Sequence, residues 1–274
     1  MQNNIRKMPQ EAEEYTEDYI EEYPREAQAK GNTKSMQRVK LEINEQDNYR
    51  IKEAYRTLRS NVEFCSAGTQ IIALTSCTPN EGKTSVAINL GVAMAESGKK
   101  VMIIDADLRK SVMVGRYKTG AVKIGLTHCL VGRNEFPEAI CSTNIENLYI
   151  AFSGPVPPNP SELLGSDLFK MMLSSLRTSF DYVLVDTPPL GSVIDGAVVA
   201  RECDGVIMIM ENNAISYRFA QSVKEQLEKA ECKILGVVLN KVNMSGKGYY
   251  GHYGKYYGKY YGKYYGKYGQ EDEK

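Results

Sequence analysis

The chain has 274 residues, of which 42% are hydrophobic and 25% charged, and its formal net charge is zero. This length accommodates one sizeable domain with tails, and the composition is that of an ordinary soluble globular protein. The balanced charge gives no support for a nucleic-acid-binding surface on the body of the chain. The apolar runs stop at about five residues, far short of a membrane span.

The six cysteines are scattered, and none of them forms a C-x-x-C pair or lies near a histidine at metal-ligand spacing. These spacings do not suit a zinc site, and a domain of this size does not need a disulfide framework. We expect reduced cysteines, most of them in the core. The polar first thirty residues do not resemble a signal peptide.

Residues 1–44 are acidic, polar and short of aliphatic side chains, which predicts a disordered arm. Residues 11–23 contain seven acids and no base, together with Tyr15, Tyr19 and Tyr23. Acids around a tyrosine can mark a kinase substrate, but a solvated arm is the simpler interpretation of this composition.

Residues 45–244 alternate short apolar runs with longer amphipathic stretches. The residues Ile51, Tyr55, Leu58 and Val62 recur at helical spacing within a predicted helix over 48–64. Runs of four to six apolar residues predict strands buried on both faces, at 71–75, 101–104, 148–152, 182–185, 206–210 and 234–239. This alternation predicts a doubly wound α/β fold with a mostly parallel sheet, and an irregular stretch over 111–147.

The run Ile71–Thr75 leads through the loop 76–85 into an amphipathic helix that continues to about Ala95. A strand, Gly-Lys-Thr and a helix in this order are the context of a phosphate-binding loop, although Cys77 replaces the first glycine of the usual pattern. The backbone N–H groups at the helix start would then face phosphates; these residues are Asn80, Glu81, Gly82, Lys83, Thr84 and Ser85. Lys83 would bridge the β- and γ-phosphates, and the Thr84 hydroxyl would bind Mg²⁺.

Two predicted strands end in aspartates. Asp105 and Asp107 follow Val101–Ile104, and Asp186 follows Tyr182–Val185. Carboxylates at the carboxyl ends of parallel strands face the crevice in which α/β folds bind ligands. Beside a phosphate-binding loop, such oxygens suit Mg²⁺, which prefers oxygen ligands.

The end of the chain, residues 245–274, repeats Lys-Tyr-Tyr-Gly and holds ten of the nineteen tyrosines. Glycine at every fourth position opposes helix, and the segment lacks the aliphatic residues of a packed strand, so we predict a flexible tail. Its phenols are candidate phosphate acceptors, at Tyr249, Tyr250, Tyr253, Tyr256, Tyr257, Tyr260, Tyr261, Tyr264, Tyr265 and Tyr268.

Together these motifs resemble the bacterial tyrosine kinases (BY-kinases) of capsule and exopolysaccharide synthesis, over roughly residues 45–270. TSCTPNEGKTS is similar to the family's Walker A motif, IIDADLR to its Walker A′ motif and VLVDTPP to its Walker B motif. The resemblance implies that Lys83 and Thr84 hold ATP and Mg²⁺, and that Asp105 acts as catalytic base. It also implies that Asp107 and Asp186 organise the metal. The predicted catalytic residues are therefore the base Asp105 together with Lys83 and Asp107.

Other matches are weaker. Glu53, Arg56 and Arg59 resemble the family's E-x-x-R-x-x-R motif, which implies subunit contacts in a ring-shaped oligomer, whereas a solvated salt-bridged face explains the same spacing. Asn240 occupies the position at which related ATPases contact adenine. The stretch 154–164 also resembles a family segment; we interpret it as a rigid turn before a helix capped by Ser161, without chemistry.

The resemblance implies an ATP-dependent kinase that phosphorylates the tyrosine tail of a neighbouring chain and thereby regulates polysaccharide polymerisation and export. It further implies a cytoplasmic protein that a transmembrane activator recruits to the inner face of the plasma membrane through its own cytoplasmic end, and a tyrosine phosphatase that resets the tail.

Two alternatives remain. Partition and septum-placement ATPases share the deviant loop, but they carry a signature lysine where this chain has Thr78. A tail of aromatic and lysine residues is also typical of loose nucleic-acid or polymer binding.

Overall fold

A computed structural model describes residues 36–43, 49–65 and 68–242. The predicted acceptor tyrosines of the tail and the acidic residues 11–23 lie outside these ranges, as do residues 243–274.

The described ranges contain eight strands and nine helices. The strands are β1 (Gln37–Arg38), β2 (Ile71–Ser76), β3 (Val101–Asp105), β4 (Ile140–Ser142), β5 (Leu148–Ala151), β6 (Tyr182–Asp186), β7 (Gly205–Glu211) and β8 (Ile234–Asn240). The helices are α1 (Tyr49–Cys65), α2 (Lys83–Glu96), α3 (Met113–Arg116), α4 (Leu126–Leu130), α5 (Phe136–Ala139), α6 (Pro160–Leu164), α7 (Asp167–Leu176), α8 (Asp195–Arg201) and α9 (Tyr217–Lys229).

The strands form one sheet in the order β1-β4-β5-β3-β6-β2-β7-β8. Neighbouring strands run parallel except β4 and β5, which are antiparallel. Helices cover both faces, since α1–α3 contribute to one apolar cluster and α4–α9 to the other. Alternate residues of a strand serve the two clusters: Ile71 joins one, and Ile72 the other. The predicted doubly wound α/β fold is confirmed.

Residues 36–43 correct the boundary of the predicted arm at residue 44. Strand β1 pairs with β4, and Val39 and Leu41 are buried in the core beside it. The backbone N–H of Leu41 also donates to Asn144 Oδ1 at 2.7 Å. Two buried aliphatic residues in an otherwise polar stretch are too few to form a periodic pattern. The strand could therefore not be predicted from the sequence.

The six cysteines are unpaired: four are buried, Cys203 is half-buried and Cys65 is exposed. Within the described ranges, no helix combines the length and apolar character needed to cross a membrane.

Candidate active site

The loop between β2 and α2 has the backbone of a phosphate-binding loop. Asn80 and Gly82 take left-handed conformations with φ of 67° and 91°, and α2 begins at Lys83 directly after Gly82. Left-handed residues in such a loop turn successive N–H groups toward one side, where the helix dipole also favours an anion.

Asn240, at the end of β8, lies against this loop. Its Nδ2 donates to the Glu81 carbonyl at 2.9 Å, and a Cβ at Gly82 would come within 2.1 Å of that nitrogen. The structure therefore shows Asn240 as a brace of the loop, and its contact with adenine stays a prediction.

The Glu81 side chain points into the protein, where it is buried. Its carboxylate accepts hydrogen bonds from the N–H of Thr78 at 2.8 Å and of Glu211 at 3.3 Å. On the outer side, Lys241 Nζ donates to the Asn80 carbonyl at 2.8 Å and to Glu211 at 2.7 Å. Only the backbone of Glu81 is therefore oriented to bind phosphate, and the loop is held from two strands.

We expect Gly82→Ala to disable nucleotide binding. The new Cβ would require a strained φ and would displace Asn240, which braces the loop. The affinity for ATP, measured by calorimetry, should fall about 5- to 150-fold, which corresponds to a cost of about 1–3 kcal/mol. Gly98→Ala is the matched control, because Gly98 also has positive φ but has no atom within 4 Å of the new methyl group. An equal loss in both variants would contradict the role of Asn240.

The three predicted aspartates converge beside this loop, since β3 and β6 are neighbours and Asp105 pairs with Asp186 in register. Lys83 Nζ lies 3.0 Å from Asp186 Oδ1 and 3.9 Å from Asp107 Oδ2, and all three side chains are largely buried. The lysine therefore neutralises a cluster of acids that would otherwise repel one another.

Asp105 is buried and accepts a short hydrogen bond from the Ser111 hydroxyl. Burial, followed by repulsion from Asp186, raises the pKa of Asp105 to about 7. A carboxylate with a pKa near neutrality can accept a proton far more readily than an ordinary aspartate, which is the property of a general base.

Asp186 supplies an observation on metal binding. Its Oδ1 is buried and accepts no hydrogen bond, although Lys83 Nζ lies close by. In the described part of the chain, no group of three or more His, Cys, Asp and Glu side chains forms a metal site alone. Mg²⁺ in nucleotide sites takes one or two carboxylates and completes its shell with phosphates and water. The residues Thr84, Asp107 and Asp186 fit such a site.

A second cluster, which sequence reasoning missed, is centred on the buried Asp195. Arg109 Nε donates to Asp195 Oδ2 at 2.6 Å, and Ser161 Oγ donates to Asp195 Oδ1 at 2.6 Å. Ser161 is not the predicted cap of α6, because Asn159 precedes the helix and Pro160 opens it. The cluster joins the segment after β3 to α6 and α8. In the sequence, only Arg109, the last residue of the DADLR motif, indicated that such a cluster exists.

Asp195→Asn should destabilise the protein. Burial opposes the charged carboxylate, but the hydrogen bonds from Arg109 and Ser161 outweigh it and lower the pKa of Asp195. A lowered pKa contributes stability above the ordinary range of aspartate, and that stability is lost as the pH falls through the folded-state value. Urea unfolding at pH 7 should show a loss of about 1–3 kcal/mol, and the loss should shrink in acid. A loss that does not depend on pH would contradict the ion pair as its cause.

Residues 113–117, in the stretch expected to be irregular, form another wall of the site. Arg116 Nη1 donates to Ser85 Oγ at 2.9 Å, and the buried Tyr117 phenol also hydrogen-bonds to Ser85. Both contacts orient the first turn of α2, which no sequence pattern indicated.

The predicted subunit-contact residues on α1 divide into two sets. Glu53 and Arg56 form an ion pair at 2.5 Å on the outer face. Arg59 instead donates to the Ala93 carbonyl of α2 at 2.9 Å. Arg59 therefore serves the contact between the two helices, whereas Glu53 and Arg56 lie on the outer face of α1.

Comparison with known proteins identifies the family. A sequence profile described as an AAA domain matches residues 69–234. The tyrosine-protein kinase CpsD of Streptococcus agalactiae is 41% identical over 207 residues, which cover 74% of this chain and 90% of CpsD. The crystal structure of the chimerical protein CapA2B2 is 32% identical with a TM-score of 0.69, covering 75% of this chain and 94% of that one.

The kinase domain of the Escherichia coli tyrosine kinase ETK matches with a TM-score of 0.66 and 32% identity, over 72% of this chain and 80% of that one. These names favour a kinase over a partition ATPase. The chain therefore belongs to the bacterial tyrosine-protein kinases of capsule synthesis, and it is a tyrosine-protein kinase with a P-loop nucleotide-binding fold.

Proposed function

We propose that this kinase uses ATP and Mg²⁺ to phosphorylate the tyrosines of residues 249–268 on a neighbouring copy of the chain. The main support for this proposal is that four side chains converge beside a loop that presents N–H groups: Lys83, Asp105, Asp107 and Asp186. Phosphoryl transfer needs positioning and charge neutralisation more than covalent chemistry, and this cluster supplies both.

In the proposed reaction, a tyrosine phenol attacks the γ-phosphorus and the bond from that phosphorus to the β-γ bridging oxygen breaks. The phenol proton passes to Asp105, and ADP leaves with the bridging oxygen. Lys83 and the loop N–H groups orient the phosphates. Bound Mg²⁺, held by Thr84, Asp107 and Asp186, would neutralise charge on the phosphates.

The strand order supports transfer between chains. At the carboxyl edge of the sheet, Asp105 ends β3 and the P-loop follows β2, whereas the tail follows β8. The tail therefore starts on the nucleotide side of the site, beside the loop that Lys241 contacts. The end of β8 and Asp105 therefore lie on opposite sides of the phosphate-binding loop in the order of the strands.

The polysaccharide function and the partners rest on the resemblance to the BY-kinases of capsule and exopolysaccharide synthesis. We propose a ring-shaped homo-oligomer with Glu53 and Arg56 at its contacts. The proposal includes a transmembrane activator that acts through its cytoplasmic end and recruits the kinase to the inner face of the plasma membrane, and a phosphatase that reverses the modification. The output is control of capsular or exopolysaccharide polymerisation and export.

A mixing experiment tests transfer between chains. Full-length Lys83→Met, which cannot hold the phosphates, is incubated with an active chain that lacks residues 249–268, in Mg-ATP and with the activator's cytoplasmic segment. Phosphotyrosine should appear on the tail of the Lys83→Met chain. A tail that is phosphorylated only when its own chain is active would show transfer within the chain instead.

A further inference from the structure

Strand β1 brings the amino-terminal side of the chain to the active-site edge of the sheet. Gln37 pairs with Cys141, Cys141 with Ile150, and Ile150 with Ile103. Met36 is therefore level with Ile104, one residue before the proposed base Asp105. The chain preceding Met36 enters the fold at the same edge as the reacting groups, on the opposite flank from the tail.

The acidic residues 11–23 are within reach of the site. Strands β1 and β3 are three spacings apart, or about 14 Å. Twelve residues lie between Tyr23 and Met36, so the chain from one to the other spans up to about 45 Å. Strand β1 lies on the β3 side of the sheet, with β4 and β5 between them, whereas the phosphate-binding loop follows β2 on the far side of β6.

The first part of the segment between β3 and β4 is opposite in charge to this arm, and Glu135 and Glu138 follow it. We call residues 108–134 the basic segment, since they contain six Lys or Arg residues and no acid. Two of these cations are paired, Arg109 with Asp195 and Lys118 with Glu42. Lys123 and Arg133 are exposed and have no carboxylate partner in the described part of the chain.

The backbone of Lys123 and the helix that follows Arg133 both contact Gln37 of β1. The Gln37 side chain accepts from the N–H of Lys123 at 2.9 Å, and it donates to the Glu138 carbonyl of α5, which follows Arg133. The seven acids of residues 11–23 are opposite in sign to these charges, and the residues between Tyr23 and Met36 are long enough to bring them there.

We propose that residues 11–23 dock on the basic segment and that Tyr15, Tyr19 and Tyr23 are a second set of phosphate acceptors, modified in the active site of their own chain. The inference rests on the proposed kinase reaction. The phenol oxygen of the arm takes the γ-phosphoryl group, its proton goes to Asp105, and ADP leaves. The tail is thus modified between chains, and the arm within one chain.

The first test is peptide mass spectrometry of the full chain after incubation with Mg-ATP and the activator segment. Phosphate is expected on the peptide 8–25, which contains all three arm tyrosines, as well as on tail peptides. Phosphate on the tail alone overturns this inference and leaves the proposed function intact. Phosphate on neither segment overturns the proposed function itself.

The second test mixes active chains with Lys83→Met chains of distinguishable mass. Arm phosphate is expected only on active chains, because the arm is delivered to its own site, and its initial rate should not depend on protein concentration. Arm phosphate on the Lys83→Met chains overturns modification within one chain.

The third test addresses docking. Lys123→Gln with Arg133→Gln should slow arm phosphorylation about three- to tenfold and leave tail phosphorylation unchanged. Lys99→Gln with Lys233→Gln is the matched control, since these exposed lysines lie at the opposite edge of the sheet, before β3 and β8. Equal arm phosphorylation in both double variants overturns the basic segment as the docking surface.

Discussion

Lys83→Met should lower phosphotyrosine formation by at least 100-fold, the usual scale for loss of a preorganised charge in an active site. Lys83 Nζ lies within ion-pair distance of Asp107 and Asp186, and it follows the loop residue Gly82. The variant loses the cation that orients the phosphates, and it leaves two buried carboxylates facing each other. Quantitative anti-phosphotyrosine blotting with Mg-ATP measures the rate.

The control for this prediction is Lys99→Met, which removes an exposed lysine at the other edge of the sheet. Its activity should match the wild-type protein. The thermal unfolding midpoint of Lys83→Met shows whether the protein stays folded, because the repelling acids also cost stability. A folded Lys83→Met protein that retains tail phosphorylation would exclude this cleft as the site of transfer.

The sequence predicted the six long strands because each is a continuous apolar run that ends at a turn or a charged residue. It missed β1 and β4, which are two and three residues long and depend on pairing rather than on composition. For the same reason, residues 36–43 were wrongly predicted to belong to the disordered arm. Tertiary pairing decides such short strands, and a local pattern does not record it.

The residues of the candidate site also include some that the sequence predicted and some that it did not. Motifs identified the side chains near the phosphates because Lys83, Asp105 and Asp186 stand at fixed places relative to predicted strands. Motifs did not identify Ser111 or Asp195, which act through hydrogen bonds to residues distant in the sequence or across a loop. Arg59 shows the converse, since its spacing indicated a surface contact and packing turned it inward.

Asp105→Asn should reduce the rate of tail phosphorylation by about 10²–10⁴-fold, because an amide cannot accept the phenol proton. In the wild-type protein, burial and Asp186 raise the pKa of Asp105 to about 7. The base is therefore protonated and inactive at lower pH, and the rate should fall about tenfold per unit below that value. Rates of Mg-ATP-dependent phosphorylation from pH 5.5 to 8.5 measure both effects.

The same substitution should make the protein more stable. The pKa of Asp105 is raised from 3.8 to about 7, so the folded state holds a proton that the unfolded state releases between these values. The contribution of this group to stability therefore falls as the pH rises from 3.8 to about 7. Above about pH 7 the full free-energy cost of the buried, ionised carboxylate is present. Asparagine has no such penalty and can still accept the hydrogen bond from Ser111.

Urea unfolding without nucleotide should show Asp105→Asn to be more stable than the wild-type protein by about 2–4 kcal/mol at pH 8. The difference should shrink as the pH falls below 7 and should vanish near pH 3, below both pKa values, where the wild-type carboxyl is mostly protonated in both states. Ser111→Ala is a useful second variant, because it removes the donor to the same carboxylate without removing the carboxylate itself. If Asp105→Asn is inactive but no more stable than the wild-type protein at pH 8, burial of the ionised Asp105 carboxylate does not destabilise the folded protein. Its role as a base with a raised pKa would then be wrong, even though the residue is needed for activity.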